Sequence, residues 1–158
     1  MSSRHYTKML RGFTLVELVI VILIIGILTA GATPKFVSSL KRAQADAAVL
    51  RVKADLNLAR QTAISRSSTQ SVQFTANSAV YTLPGIADPD HPAAATYSVD
   101  LADGEYRAVV TAASFGAGTI LQFDRYGQPI NAGSVTISAG GITKTVSVDA
   151  TSGVVSAL

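Results

Sequence analysis

One carboxylate inside a long apolar run constrains this chain more than any other feature. Phe13 to Thr33 is 21 residues long and carries no charge except Glu17. As a helix it would measure roughly 31 Å, enough to cross the hydrocarbon core of a bilayer. Residues 1–12 ahead of it contain Arg4, Lys8 and Arg11 and no acidic residue, which holds that end on the cytoplasmic side. Gly26 and Gly31 weaken a helix in water but are common in membrane helices. A lone carboxylate in a membrane helix costs a few kcal/mol, so it has a partner or a job. Glu17 lies about one turn after Phe13. A cut between Gly12 and Phe13 would create an ammonium at Phe13, and a neighbouring subunit's ammonium could neutralise Glu17 within the apolar phase. The competing reading of Glu17 is a carboxylate near the surface that snorkels to the headgroups.

A secretory signal peptide is the other reading of the whole segment: a basic start, an apolar centre and Ala30-Gly31-Ala32 as a small-residue cleavage site. The run is longer than a typical signal core, and Glu17 is out of place in one. Pro34 follows the run. It removes a backbone donor and clashes with the preceding turn, so a kink or interruption of the helix is expected there. The simpler alternative is a helix that ends at the membrane surface.

Beyond Pro34 the spacing predicts an amphipathic helix. Phe36, Leu40, Ala43, Ala47, Leu50 and Ala54 step by three and four. Val49, Val52, Leu56, Ala59 and Ala63 form an adjacent stripe, and Lys and Arg lie opposite. The pair reads as one broad face against a sheet, with the alanine-rich first half also suited to lining a filament core. No Gly or Pro interrupts 36–65, and Ser65 to Ser71 reads as the helix end. Seven or eight short strands are expected after it. Gln70–Ala76 and Ala79–Leu83 alternate around an Asn77-Ser78 turn. Pro84–Pro92 is a loop, and Ala94–Val99 an edge strand. Glu105–Thr111 and Ile120–Phe123 follow. Asp124–Pro129 is a turn, Val135–Ile137 and Ile142–Val148 flank Gly140-Gly141, and Val154–Ala157 closes the chain. The expected fold is α+β, a long N-terminal helix packed on a C-terminal antiparallel two-sheet head. The expected organisation is a leader (1–12), a transmembrane helix (13–33), a helical stalk (34–66) and a β-rich head (67–158).

The stretch Gly12 followed by Phe13-Thr14-Leu15-Val16-Glu17, the apolar run and Pro34 together resemble the type IV pilin and pseudopilin superfamily. The resemblance implies a prepilin peptidase that cuts between Gly12 and Phe13 and methylates Phe13. It implies that Glu17 pairs with a neighbour's N-terminus, and that Pro34 marks a helix break in the filament. Leu56-Asn57-Leu58-Ala59-Arg60-Gln61-Thr62-Ala63-Ile64-Ser65-Arg66 followed by Val72 resembles the H-type minor pseudopilins and the related T- and U-type minor pilins. Ile120, Phe123, Gly127, Val135–Ile137, Thr145–Val148 and Gly153 extend that likeness. The expected role is a structural subunit of a type II secretion pseudopilus, with a type IV pilus minor pilin as the alternative. The implied partners are other pilin or pseudopilin subunits in a hetero-oligomeric filament, the prepilin peptidase and an inner-membrane assembly platform. The implied location is the bacterial inner membrane, crossed once, with the N-terminus cytoplasmic and the head periplasmic.

Charge and composition narrow the chemistry. Without the leader, ten basic residues face ten acidic ones. Lys35 to Arg66 holds seven basic residues against Asp46 and Asp55, while after Arg66 three face seven acidic ones. A basic stalk with an acidic distal head argues against a nucleic-acid partner and for membrane headgroups and inter-subunit pairing. The absence of cysteine excludes disulfides and thiolate metal sites. His5 and His91 lie in the leader and a Pro-flanked loop, so no catalytic constellation emerges and the chain reads as non-enzymatic. Asp88, Asp90, Asp100 and Asp103 have no EF-hand spacing and read as a solvated loop. No metal or cofactor is called for.

Overall fold

A single helix and eight strands make up the computed structural model, which describes residues 12–88, 94 and 96–157 and leaves out the side chains of 30–34. The leader before Gly12 and residues 89–92 of the Pro84–Pro92 loop, including Asp90 and His91, lie outside the described residues.

The helix α1 runs from Leu15 to Arg66, 52 residues. It stops in a left-handed turn. Ser67 takes φ 49°, Ser67 N–H donates to Ile64 O at 3.2 Å and Ser68 N–H to Ala63 O at 3.1 Å. Serine thus occupies the terminal position where glycine is usual. The helix passes through Pro34 without interruption in the single chain, so of the expectations there a kink or a break in the filament is left and a helix end at Pro34 is not. A proline removes one main-chain donor and strains one turn.

The strands are β1 (Gln70–Phe74), β2 (Val80–Pro84), β3 (Thr96–Asp100), β4 (Ala108–Phe115), β5 (Ile120–Phe123), β6 (Gly133–Ala139), β7 (Ile142–Val148) and β8 (Val155–Ala157). They form two antiparallel sheets of order β3-β2-β1-β5 and β4-β6-β7-β8. The first three strands meander, β4 opens the second sheet, β5 returns beside β1, and β6 to β8 complete the second sheet beside β4. β4 starts later than its alternation implied. Ala108 N–H closes a turn onto Leu101 O at 2.8 Å, and Arg107 sits at φ 44°, so Glu105 and Tyr106 belong to that turn. At Gly133 a Cβ would lie 1.8 Å from the Ser114 carbonyl oxygen. Only glycine lets β4 and β6 meet there.

Two compact units are present, one reaching to Ser38 and one from Ser39 to Leu158. In the second, the helix contributes Ala45, Ala48, Val49, Val52, Leu56, Ala59 and Ala63 to the core. The sheets contribute Val72, Tyr81, Leu83, Leu121 and Phe123 on one side and Val110, Phe115, Val135, Ile137 and Val146 on the other. Phe74 stacks on Phe115 with centroids 5.8 Å apart and joins the two sheets. Lys144 Nζ ties β7 to Asp46 Oδ1 of the helix at 2.6 Å.

Only one of the two expected stripes is core. Phe36, Leu40 and Leu50 are 72%, 49% and 64% exposed, Ala43 and Ala54 are also exposed, and Ala47 is half-buried. A helix lays a stripe of about 100° on a sheet, so the second apolar row is left facing outward.

In the first unit, every large apolar side chain described between Phe13 and Leu28 is exposed. Among the described residues no helix is long and apolar enough to cross a membrane. The apolar part of α1 with described side chains, Leu15–Thr29, spans roughly 22 Å, and the rest of the run falls on 30–33.

Candidate functional site

The first turn of α1 gathers the residues singled out in the sequence. Gly12, Phe13, Thr14 and Glu17 line one open hollow. Phe13 lies ahead of the helix and is 80% exposed. The helix begins where it does because Thr14 caps it: its Oγ1 accepts the Glu17 N–H at 3.1 Å. Thr14-Leu15-Val16-Glu17 is a Thr-x-x-Glu start, a cap signal legible in the sequence and separate from the processing pattern around it. The carboxylate of Glu17 also faces the positive end of the helix dipole. Cleavage after Gly12 would place the new ammonium two residues ahead of the first helical residue and one turn from this carboxylate. Pro34 lies 17 positions further along and takes no part in this grouping.

A second polar grouping lies in the head. Asp55 is 5% exposed. Its Oδ2 accepts the Tyr81 hydroxyl at 2.5 Å and Arg51 Nε at 3.1 Å, and Arg51 also donates to the Tyr97 hydroxyl. Burial raises the Asp55 carboxyl above its ordinary range, and the bonds from Tyr81 and Arg51 only partly offset this. Burial and the Asp55 charge push the Tyr81 phenol up. Burial alone would lower the Arg51 guanidinium, but Asp55 more than reverses that. Asp55 sits between Val52 and Leu56 on the buried stripe; that placement is the signal that could have marked it.

A third grouping explains the residues shared with the H-type resemblance. Arg60 Nε donates to Gly127 O at 3.0 Å, and its terminal nitrogen donates to Ser152 O at 3.0 Å. It holds two turns that Asp124 and Asp149 close on themselves. Asp124 Oδ1 accepts Tyr126 and Gln128 N–H at 2.9 and 2.8 Å. Asp149 Oδ1 accepts Ser152 N–H at 2.8 Å, and these bonds hold its carboxyl below the usual range. A Cβ on Gly127 would lie 2.7 Å from Ile64 Cδ1, and one on Gly153 would lie 2.5 Å from Gly127 O. Arg60, Gly127 and Gly153 are thus one packing unit. Arg60→Ala is expected to cost about 1–2 kcal/mol, read as a lower thermal midpoint of the detergent-solubilised chain. Arg60→Lys should recover less than half, because one ammonium lacks the planar fork.

Among the described residues no group of three acidic or histidine side chains could hold a metal. Asp100 instead accepts Ala102 N–H at 2.8 Å, closing the turn after β3.

Comparison with known proteins follows this geometry. Residues 8–33 match the prokaryotic N-terminal methylation motif, and residues 48–152 match the type II transport protein GspH. The chain belongs to the GspH family. The GspH match takes in Asp55, Arg60, Gly127 and the turn at Asp149–Ser152, and the methylation motif takes in Gly12, Phe13 and Glu17. A crystal structure of the type IV minor pilin FimU of Pseudomonas aeruginosa is similar at TM-score 0.54 and 21% identity, over 73% of this chain and 88% of that one. A second crystal form gives 0.52 and 18%, over 72% and 91%. At these identities the likeness speaks for the fold, a helix packed on two antiparallel sheets. No curated protein matches. The GspH family, with its methylation motif and pilin-like fold, is one of pilin-like structural subunits that assemble with others of their kind.

Proposed function

We propose that this chain is a minor pseudopilin of a type II secretion pseudopilus, cut between Gly12 and Phe13 by prepilin peptidase, methylated at Phe13, and assembled through α1 to help drive protein export. The observation that carries the reading is the joining of a methylation motif at residues 8–33 to a GspH domain at 48–152 in one chain. In this reading the apolar run anchors the subunit in the inner membrane with the head in the periplasm. The assembly platform of that membrane feeds it into the filament, and the outward row of α1 is available to neighbours. Glu17 sets the docking contact, since an unpaired carboxylate in an apolar bundle is expensive. Nucleic acid is not a partner, because the head beyond Arg66 is net acidic.

The second reading, a type IV minor pilin, is favoured by the FimU fold likeness. Adjacent genes for a secretin and a secretion ATPase would support secretion, and a pilus retraction ATPase would support the pilus. Processing is tested by sequencing the N-terminus of the mature protein from membranes. Methylated Phe13 is the expected start; a start at Thr33 would mean signal-peptidase release and would overturn both readings.

A further inference from the structure

The edge of a sheet exposes unpaired main-chain donors and acceptors unless something covers them. β4 lies at the edge of one sheet, and main chain closes it: Ser78 O accepts the Val110 N–H at 2.9 Å and Gly118 O accepts the Phe115 N–H at 2.8 Å. β5 lies at the edge of the other sheet and is closed differently. Phe74 N–H donates to Thr119 O. The antiparallel alternation that starts from this pair aims the main-chain groups of Leu121 and Phe123 at β1 and those of Ile120 and Gln122 outward. Residues 128–130 fold back along this outer side. Gln128 O accepts the Asp124 N–H at 2.8 Å, and Ile130 N–H donates to Gln122 O at 2.8 Å. The chain then leaves for β6, and the Asn131 side chain takes over. Its Oδ1 accepts the Gln122 N–H at 3.0 Å, and its Nδ2 donates to Ile120 O at 2.6 Å and to Phe115 O at 3.2 Å. A carboxamide offers the donor and acceptor of a peptide unit, so Asn131 stands where the next residue of an added strand would pair.

We propose that Asn131 locks a strand-addition site on β5 that would otherwise take β5 of a second copy of this chain. What lies under the lock suits that pairing. Thr119–Phe123 carries no charge and no proline, the composition of a segment prone to pair with its own copy. Ile120 is 41% exposed, and no charged side chain on β5 guards the edge. The edge is also self-complementary. In an antiparallel pair of two β5 strands, Ile120 of one copy faces Gln122 of the other, so each outward N–H meets an outward C=O. The lock satisfies those groups within one head, and copies that meet find no open strand there.

The chain has no cysteine, so Gln122→Cys, on the outer face of β5, reports contact between copies. In the detergent-solubilised full chain, adding Asn131→Ala to Gln122→Cys should raise the yield of disulfide-linked dimer on mild oxidation about tenfold. Ile120→Lys in that background should bring the yield back to within about twofold of Gln122→Cys alone, because a charge on the edge opposes pairing. Arg60→Ala with Gln122→Cys loosens the head without opening β5 and should leave the yield unchanged. No rise with Asn131→Ala, an equal rise with Arg60→Ala, or a dimer indifferent to Ile120→Lys would overturn the lock. Hydrogen exchange on the parent chain decides the matter where Asn131→Ala does not fold. The Gln122 amide should exchange as slowly as those of Leu121 and Phe123, and exchange at the rate of an open loop would overturn the proposal.

Discussion

A Glu17→Leu chain will be cut, methylated and folded like its parent, and will enter filaments at no more than about a tenth of the parent's level. Cleavage depends on the residues flanking the Gly12–Phe13 bond, which the change leaves in place. The helix start survives too, because the bond that caps it comes from the main-chain N–H of residue 17 to Thr14 Oγ1 and does not involve the side chain. The head core begins at Ala45, far along the chain. What is lost is the carboxylate. An unpaired acidic group in an apolar phase costs about 2.5–3.5 kcal/mol on insertion scales. Pairing on assembly recovers much of that and so favours the assembled state. Every 1.4 kcal/mol is tenfold, so a loss of about tenfold follows even when half the recovery is discounted. Incorporation is measured by quantifying the tagged subunit in sheared filaments against total membrane subunit. Normal incorporation would show that Glu17 is a surface carboxylate with no assembly role. Thr14→Val is the companion variant: it removes the cap and keeps the charge, so it should fray the first turn yet assemble better than Glu17→Leu.

Much of this architecture could be read from local pattern. The alternation of Val72 and Phe74, the glycine pair at Gly140-Gly141 and the Asp-led turns at Asp124 and Asp149 each carry their structure within a few residues, and the strands stand where those signals put them. The processing motif is equally local. What escaped was set by distant contacts. Two apolar rows on one helix look alike, and only the width of the sheet decides that Val52 and Leu56 go inside while Leu40 and Leu50 stay out. Asp55 read as a charge in a basic stalk because its partners Tyr81 and Tyr97 come from strands that no helical pattern can place beside it. Arg60 had a family likeness but no role until two turns, 67 and 92 residues away, were seen to share it. At Pro34 the local rule allows a kink as well as an end, and the helix continues through it; a break there would be a property of the filament.

Asp55 is the residue with the largest expected effect on the head itself. Asp55→Ala removes the acceptor for the buried Tyr81 hydroxyl and the partner of Arg51. An orphaned buried polar group costs about 1–3 kcal/mol, and a half-buried cation loses its pair as well. A loss of about 2–3 kcal/mol is expected, roughly 10 °C in thermal midpoint for a unit of this size. Asp55→Asn keeps an acceptor for Tyr81 and should cost less. The pH dependence separates the charge from the shape. Burial raises the folded-state value of this carboxyl above that of an unfolded aspartate, about 3.9, so the folded chain holds this proton more tightly than the unfolded one. The stability linked to it is therefore full below about pH 3.9 and fades as pH rises through the raised value. The parent should gain on Asp55→Asn as pH is lowered from 7 toward 4, seen as a widening gap between their thermal midpoints in detergent. Parallel profiles would mean that the carboxyl does not titrate between those limits, and that the Tyr81 and Arg51 bonds hold it in its ordinary range. Tyr81→Phe in the Asp55→Ala background should cost far less than in the parent, because the hydroxyl left without an acceptor is removed with it.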